Sequence, residues 1–434
     1  MMEGLITAKF GGTSLATAGN IRRVAQIFHA DPDRRFVVVS APGRRFAEDL
    51  KITDQLYRYQ VTKNPEDFDP IQRRYEDICE DLGLDLDLSD DFAFIRSRPH
   101  TADYLASRGE YLSAKVLAAF LGWPFVDTKD CVWFDEDGLL DGPRTQAALK
   151  DRLADLEHAV LPGFYGSMPD GQIHTFSRGG SDITGALVAS ATVARVYENW
   201  TDVDGMMVTD PRIVPEASVI TTITYPELRE LAYQGATVLH EDAVLPVKEA
   251  GIPIHIRNTF RPEAPGSLIL PSTHKAPGYI TGIAGRKGYA TITIEKNNTN
   301  SVVGYVRRIL SCLEKFNVPF EHMATGNGSV CLAVPAETIR TCRNQLEHEI
   351  KRAIRPDSIT IAYGMAMLAV VGRGMLGRVG VAAQVFSALA EANVSARLID
   401  QGCSQLNIVI GVLEEDYEAS IRAIYNQFFR GRKD

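Results

Sequence analysis

Through the first 270 residues, short apolar runs alternate with amphipathic stretches. Residues 5–10 are apolar enough for a strand, and residues 21–28 follow with helical spacing. Residues 36–40, with Val37, Val38 and Val39 at their centre, predict a compact buried strand. A helix is predicted over 104–121, stopping at Gly122. Strands over 173–176 and 196–200 flank a predicted helix over 181–194, and residues 252–256 form another strand. Alternation of this kind specifies an α/β layered domain with a largely parallel sheet.

Residues 261–278 are rich in proline among polar residues and are expected to be a linker. An internal repeat lies beyond them. Gly304 and Gly380 stand 76 positions apart, and so do Asn317 and Asn393, Val318 and Val394, and Gly326 and Gly402. Each copy reads strand, helix, strand, strand, helix. In the first copy these are 290–295, 302–316, 319–323, 329–334 and 338–353, with a fourth strand over 358–362. The second copy starts with a strand over 366–371 and ends with a helix over 417–429. Its fourth strand is missing, and residues 279–284 are expected to supply it. The first copy is then inserted into the second.

One stretch of the second copy imitates a cofactor site. Gly372-Arg373-Gly374-Met375-Leu376-Gly377 fits G-x-G-x-x-G between a strand and a helix, and the next strand ends in Asp400. That is the dinucleotide-binding pattern in its usual context. The equivalent stretch of the first copy, Lys296-Asn297-Asn298, has no such glycines, yet the repeat continues in register. The glycines are therefore read as a tight strand-to-helix turn.

Composition narrows the partners. The 434 residues carry a formal net charge of −9, with the basic residues scattered, so no nucleic-acid partner is expected. Anionic substrates must be held by local positive charge. The six cysteines show no C-x-x-C spacing, and no metal site is expected. No apolar run approaches the ~20 residues needed to span a membrane. Free thiols and the short apolar stretch before Lys9 predict a cytoplasmic protein without a secretory leader.

The chemistry is carried by three segments. Lys9-Phe10-Gly11-Gly12-Thr13-Ser14 leaves the first strand and enters a helix. Its glycines let backbone N–H groups turn toward an anion, and Lys9 adds a full charge. It is not a Walker loop, in which the lysine follows the glycines. Ser177-Arg178-Gly179-Gly180-Ser181-Asp182 repeats the logic after another strand, with Arg178 suited to grip a carboxylate. Trp200-Thr201-Asp202-Val203-Asp204-Gly205, leading to Thr209-Asp210-Pro211-Arg212, is a polar, turn-rich segment suited to a nucleotide.

In combination and in order, these segments closely resemble the aspartokinases of the amino-acid-kinase superfamily, and the C-terminal repeat resembles their paired ACT domains. The resemblance covers essentially the whole chain. It implies a three-layer α/β/α kinase domain over 1–270 with a mainly parallel sheet, then two ferredoxin-like βαββαβ ACT domains. The first of these covers 290–363 and is inserted into the second, 279–289 plus 364–434. The implied reaction is ATP-dependent phosphorylation of the L-aspartate side-chain carboxylate with Mg²⁺, giving 4-phospho-L-aspartate. A carboxylate of pKa ~3.9 is already ionised at neutral pH, so no general base is required. The difficulty is to bring two anions together.

The resemblance also assigns residues. Lys9 lies against the transferring phosphoryl group, and Asp182 orients it. Gly11, Gly12, Thr13 and Ser14 cradle phosphate. Arg178, with Gly179, Gly180 and Ser181, holds the substrate α-carboxylate, Glu110 meets the α-ammonium group, and Ser40 and Thr53 contact aspartate. Thr201, Asp202, Met207, Asp210 and Arg212 match the nucleotide site. Two positions depart from the family pattern: Thr237 stands where a lysine is common, and Met207 where a tyrosine is expected. The ACT pair implies an amino-acid effector, lysine first and threonine second. Its candidate contacts are Asn300, Val302, Gly304, Tyr305, Gly326, Ser329, Gln401 and Asn407. Pairing of ACT domains between chains implies a homodimer or homotetramer. Two competing readings are a kinase for glutamate or N-acetylglutamate and a catalytically silent amino-acid sensor on a kinase scaffold.

Overall fold

The computed structural model describes residues 4–97, 100–177, 179–236, 239, 241–273, 278–297, 303–402 and 404–430. The chain divides into two units. The first comprises Met1–Met206, Val219–Tyr225 and Thr237–Thr273, and the second comprises Met207–Ser218, Pro226–Ala236 and His274–Asp434. Two short segments before residue 270 thus belong to the second unit.

The first unit is built on a seven-stranded sheet. Its strands are β1 (Ile6–Phe10), β2 (Arg34–Val39), β3 (Ala159–Pro162), β6 (Val196–Thr201), β7 (Thr222–Thr224), β8 (Ile254–Asn258) and β9 (Ser267–Leu270), in the spatial order β3-β2-β1-β6-β8-β9-β7. All pairings are parallel except β8 with β9. β4 (Tyr165–Ser167) and β5 (Ile173–Thr175) form a separate antiparallel pair. The stretch expected as a strand over 173–176 is therefore outside the main sheet, because a run this short carries no information about which sheet receives it. The expected linker over 261–278 contains β9, whose apolar Ser-Leu-Ile-Leu closes against β8.

Side-chain alternation along the central strands sets the layers. Val37 and Val39 of β2 join Ala8 and Phe10 of β1 in one core. That core also takes the inner faces of α1 (Ala18–His29), α2 (Ile52–Thr62), α3 (Pro65–Leu82), α4 (Ser89–Ser97) and α5 (Ala102–Leu121). Phe36 and Val38 point the other way, into a core shared with α6 (Gly142–Leu153) and α7 (Gly180–Ala191). Helix ends follow local chemistry: Thr101 caps α5 by accepting from the Tyr104 amide, and Gly122 ends it at φ 67°. The remaining helices before the repeat are α8 (Tyr225–Tyr233) and α9 (Glu241–Glu249).

The second unit holds a six-stranded antiparallel sheet. It is made of β10 (Gly282–Glu295), β11 (His322–Gly326), β12 (Ser329–Pro335), β13 (Ser358–Val371), β14 (Leu398–Asp400) and β15 (Asn407–Leu413), in the order β11-β12-β10-β13-β15-β14. Its helices are α10 (Tyr305–Lys315), α11 (Ala336–Arg340), α12 (Arg343–Ile354), α13 (Val381–Glu391) and α14 (Tyr417–Phe428). The helix expected over 338–353 is two helices, α11 and α12, broken between Arg340 and Arg343. The repeat is visible in backbone geometry. Gly304 and Gly380 are left-handed residues capping α10 and α13. Asn317 and Asn393 are left-handed at φ 52° and 56°, just beyond the same helices.

β10 and β13 are each fourteen residues long and pass through both copies. Gly282–Lys287 pairs with residues 366–371, and residues 290–295 pair with residues 358–363. Between these halves Gly288 and Gly364 drop out of register with positive φ, 93° and 79°. They too lie 76 positions apart.

The glycines of the G-x-G-x-x-G imitation pack backbone on backbone. A Cβ on Gly374 would meet the Gly278 carbonyl oxygen at 1.8 Å, and one on Gly372 would meet the Ile280 Cα at 2.5 Å. Between them, Arg373 pairs with the fully buried Glu227 of α8, which also accepts from the Thr281 hydroxyl at 2.6 Å.

Candidate functional site

Lys9 and Thr7 alternate with the core residues Ala8 and Phe10, so both point toward the α7 layer. Lys9 Nζ meets Asp182 Oδ1 at 2.7 Å, and both side chains are largely buried. Asp182 stands in the first turn of α7, where a carboxylate suits the positive end of the helix. Asn199 of β6 is the register partner of Lys9 and donates Nδ2 to the same oxygen at 2.7 Å. The lysine is therefore held by a carboxylate that is itself aimed by an amide. Asn199 drew no notice in the sequence, although a polar residue beside Lys9 on a parallel strand is the signal that would have found it.

The carboxyl ends of β1, β2 and β6 open onto a cavity of ≈ 600 Å³. Sites in open α/β sheets form at these strand ends. Gly12, Thr13, Ser40, Thr53, Glu110 and Asp202 line it together, and so do Arg44 and Lys51. Thr53 lines the same cavity as Ser40 because the intervening loop folds back on itself, Ile52 N donating to the Pro42 carbonyl.

Glu110 enters the cavity from the middle of α5, and its Oε2 is buried without a hydrogen-bond partner among the described residues. Burial pushes its carboxyl up to about 8, against the opposing pull of the Ala41 and Glu110 backbone amides and of the Arg108 and Lys9 charges. A buried carboxyl short of one partner is suited to an incoming cationic group, whose charge would favour its ionised form.

The turn after β1 has two kinds of residue. Thr13 donates its hydroxyl to Asp202 Oδ2 at 3.1 Å, and Thr201 reaches Oδ1 at 3.3 Å. Ser14 instead turns inward; it is fully buried and shares a 2.7 Å hydrogen bond with Thr259. The expected phosphate contact from its hydroxyl is replaced by this internal pairing. Gly12 is a glycine because a Cβ there would come within 2.7 Å of the Ala41 carbonyl oxygen. Its own carbonyl accepts from Gly43 N at 2.7 Å. Gly11 stands at φ −71°, with no close obstruction to a side chain.

A buried arginine ties these loops together. Arg74 of α3 donates Nη1 to Asp49 at 3.0 Å and Nη2 to the carbonyls of Ala16 and Gly43 at 2.8 and 3.0 Å. Asp49 also takes Nε and Nη2 of Arg45 at 2.8 and 3.0 Å. These contacts hold the Asp49 carboxyl well below the usual range. Nothing in the sequence near Arg74 announces this role, because its partners are 25 or more positions away.

At the second anion turn, Gly179 is left-handed at φ 60° and caps α7. Gly180 packs so tightly on Phe164 that a Cβ would meet its ring at 2.6 Å, and Ser181 is buried over Gly163. Arg178 and Thr237 lie outside the described residues, as do Asn300 and Val302. Asp210 and Arg212 fall in the second unit and pair with each other at 2.7 Å, which lowers the Asp210 pKa. Met207 is half-buried in the same unit. Of the effector candidates, Gly326 and Ser329 are register partners at the β11–β12 turn. Tyr305 is buried at the start of α10, with its hydroxyl lacking a hydrogen-bond partner among the described residues. Asn407 donates to Glu230 at 2.6 Å, and Gln401 is exposed.

Comparison with known proteins identifies the family. Residues 5–258 match the Amino acid kinase family, and residues 368–428 match an ACT domain family. Aspartokinase 3 of Bacillus subtilis (strain 168) is 33% identical over 98% of this chain and 98% of its own length. The crystal structure of Clostridium acetobutylicum aspartate kinase has a TM-score of 0.89 at 42% identity, covering 98% of this chain and 100% of that one. E. coli aspartokinase III, in its R-state with aspartate and ADP, gives a TM-score of 0.75 at 26% identity, covering 98% and 99%. The T-state of that enzyme, with lysine and aspartate, gives 0.72 at 26% identity over the same shares. This chain belongs to the amino acid kinase family and, within it, to the aspartokinases.

Proposed function

We infer that the cavity beside Lys9 and Asp182 takes L-aspartate and passes the γ-phosphoryl group of ATP to its side-chain carboxylate. Aspartate phosphorylation under allosteric control is the activity of the family to which the chain belongs. The observation that carries the site assignment is the ion pair between Lys9 and Asp182, at strand ends that also open onto Glu110. Lys9 offsets charge on the transferring group, Glu110 receives the substrate ammonium, and Ser40 and Thr53 bind its polar atoms. Charge stabilisation and positioning are the main demands of phosphoryl transfer.

Mg²⁺ enters with ATP in this reading, and Asp182 and Asp202 would hold it. Among the described residues no cluster of three metal-ligating side chains occurs. A cation carried by phosphate oxygens needs only one or two carboxylates from the protein. Bound there, it would offset phosphate charge.

The effector in this reading is lysine, supported by the likeness to the E. coli T-state enzyme that holds lysine; threonine is second. The insertion of one ACT domain, over 290–363, into the other, over 279–289 plus 364–434, is supported by the pairing of Gly282–Lys287 with residues 366–371, while the proposed kinase domain over 1–270 includes Met207–Ser218 and Pro226–Ala236 of the second unit. Assembly into a homodimer or homotetramer is supported by the exposed edge strand β11. Light scattering on the purified chain tests it.

Turnover of aspartate with ATP, trapped by hydroxylamine as a hydroxamate, tests the reaction. Product from glutamate and none from aspartate would overturn it, as would effector binding without turnover.

A further inference from the structure

Helix α5 separates two cavities. Glu110 lines the one already described. Arg108, two residues earlier and so about 200° around the helix, lines the other, of ≈ 560 Å³. Arg108 is 6% exposed as a whole residue, and among the described residues no carboxylate lies within 4.0 Å of its guanidinium. The rings of Tyr111, Tyr104 and Tyr165 lie 4.3, 4.5 and 5.4 Å from its centre. Its hydrogen bonds go to the Ser107 hydroxyl and the Tyr104 carbonyl, so among the described residues none of them ends on a carboxylate. Buried guanidinium groups are ordinarily matched by a carboxylate or phosphate.

The carboxylates in this cavity are already engaged. Asp91 is held by Lys115 at 2.5 Å and by the Tyr111 hydroxyl at 3.1 Å. Asp127 accepts from the Tyr165 hydroxyl at 2.7 Å and from the Lys129 amide at 3.1 Å. Lys129, half-exposed at the rim, is 3.8 Å from Asp127 and adds a second positive charge. Phe94, Tyr104 and Tyr111 give the space apolar walls. The volume far exceeds the ~30 Å³ of one water, so the cavity has room for an organic body as well as a charged group.

We propose that this cavity is a second anion site, in which Arg108 pairs with the carboxylate of a small organic acid whose apolar body lies against the tyrosines. The site regulates aspartate binding through α5. The Arg108 charge favours the ionised form of Glu110. An anion on Arg108 cancels that charge, so more Glu110 is protonated at neutral pH and the substrate ammonium is held less well. This coupling rests on the role given to Glu110 above; the binding of the acid does not.

Calorimetry on the full chain with phenylacetate, acetate and inorganic phosphate in turn tests the site. Phenylacetate is expected to bind, and acetate, lacking the apolar body, to bind more weakly. Arg108→Met is expected to weaken phenylacetate about tenfold or more, the loss of a charge-assisted hydrogen bond, and Arg108→Lys to weaken it less. Lys129→Ala, at the rim and harmless to the fold, gives a second reading with a several-fold loss. No heat with phenylacetate, or equal affinity in all four proteins, overturns the site. Phosphate binding in place of phenylacetate overturns the ligand class. In kinetics, phenylacetate is expected to raise the KM for aspartate and leave kcat unchanged, and Glu110→Gln to abolish that rise while still binding phenylacetate. Binding with an unchanged KM would retain the site and reject the role of Glu110.

Discussion

Lys9 and Asn199 are register partners on neighbouring parallel strands, and both reach Oδ1 of Asp182 at 2.7 Å. The three residues form one unit, so their loss is graded. Lys9→Ala is expected to lower kcat about 10²–10³-fold or more, as when a charge-stabilising donor is removed. Asn199→Ala, which leaves the ion pair but removes its support, is expected to lower kcat about tenfold. Hydroxamate assays at saturating substrate measure both, and lysine binding to the Lys9 variant is expected to be unchanged. Equal turnover of Lys9→Ala and wild type would remove the role given to this lysine.

Glu110 gives a pH dependence with a definite sign. Its folded carboxyl titrates at about 8, raised chiefly by burial. An ionised Glu110 is the form that holds an ammonium group, so the KM for aspartate is expected to fall as pH rises through about 8. Stability runs the other way. A carboxyl whose folded pKa is raised holds its proton more tightly when folded, so stability declines from the ordinary carboxyl range up to about 8. Glu110→Gln is expected to flatten the KM profile and to raise Tm relative to wild type above that pH. A KM profile unchanged by the substitution would separate Glu110 from the substrate.

Arg74 and Asp49 are both buried, and Arg74 also holds the Ala16 and Gly43 carbonyls. Arg74→Met leaves Asp49 with Arg45 alone. Breaking a buried pair costs about 3–5 kcal/mol, and urea unfolding is expected to show a loss of that order. The loop that carries Pro42 to Lys51 loosens with it, so the KM for aspartate is expected to rise more than kcat falls. Acid sensitivity follows from Asp49. Its folded pKa is depressed, so its contribution is present above the ordinary carboxyl range and is lost only as pH falls toward the depressed value.

Gly12→Ala places a methyl group 2.7 Å from the Ala41 carbonyl oxygen and 3.1 Å from Gly43 N. Both neighbours are backbone, so the turn must move. Overpacking of this kind costs about 1–3 kcal/mol, and kcat is expected to fall because the turn carries Thr13 and follows Lys9. Gly11→Ala, whose Cβ meets only ordinary contacts, is expected to be much milder. Thermal melts and kinetics on the two variants give the comparison.

Much of this architecture was legible in the residue pattern because local and global preferences agree. Phe36 to Val39 alternate between two cores, which is what a strand covered by helices on both faces requires. The 76-residue repeat was legible because paired glycines and asparagines occupy left-handed positions that other residues adopt only with strain. Lys9 and Asp182 stood out at the ends of predicted elements, and the fold pairs them. Asn199 was not, because strand registry, which no single segment contains, makes it a neighbour of Lys9. Arg74 was not, because an arginine on an amphipathic helix reads as solvated until the loops above it are placed. Ser14 was misplaced for a related reason: a hydroxyl beside an anion turn can face either way, and Thr259, 245 positions later, draws it inward.

The bulge glycines Gly288 and Gly364 mark the point about which the repeat turns. β10 runs from the second copy into the first, and β13 runs back antiparallel beside it. A half-turn about the seam therefore exchanges the two strands and the two copies. The copies share no spacer at this point that could let them swing independently. Each is spliced into the other through two unbroken peptide chains, and the glycine pair is the pivot of that splice. Within the pair, neither copy can be separated from the other without breaking strands that both of them use.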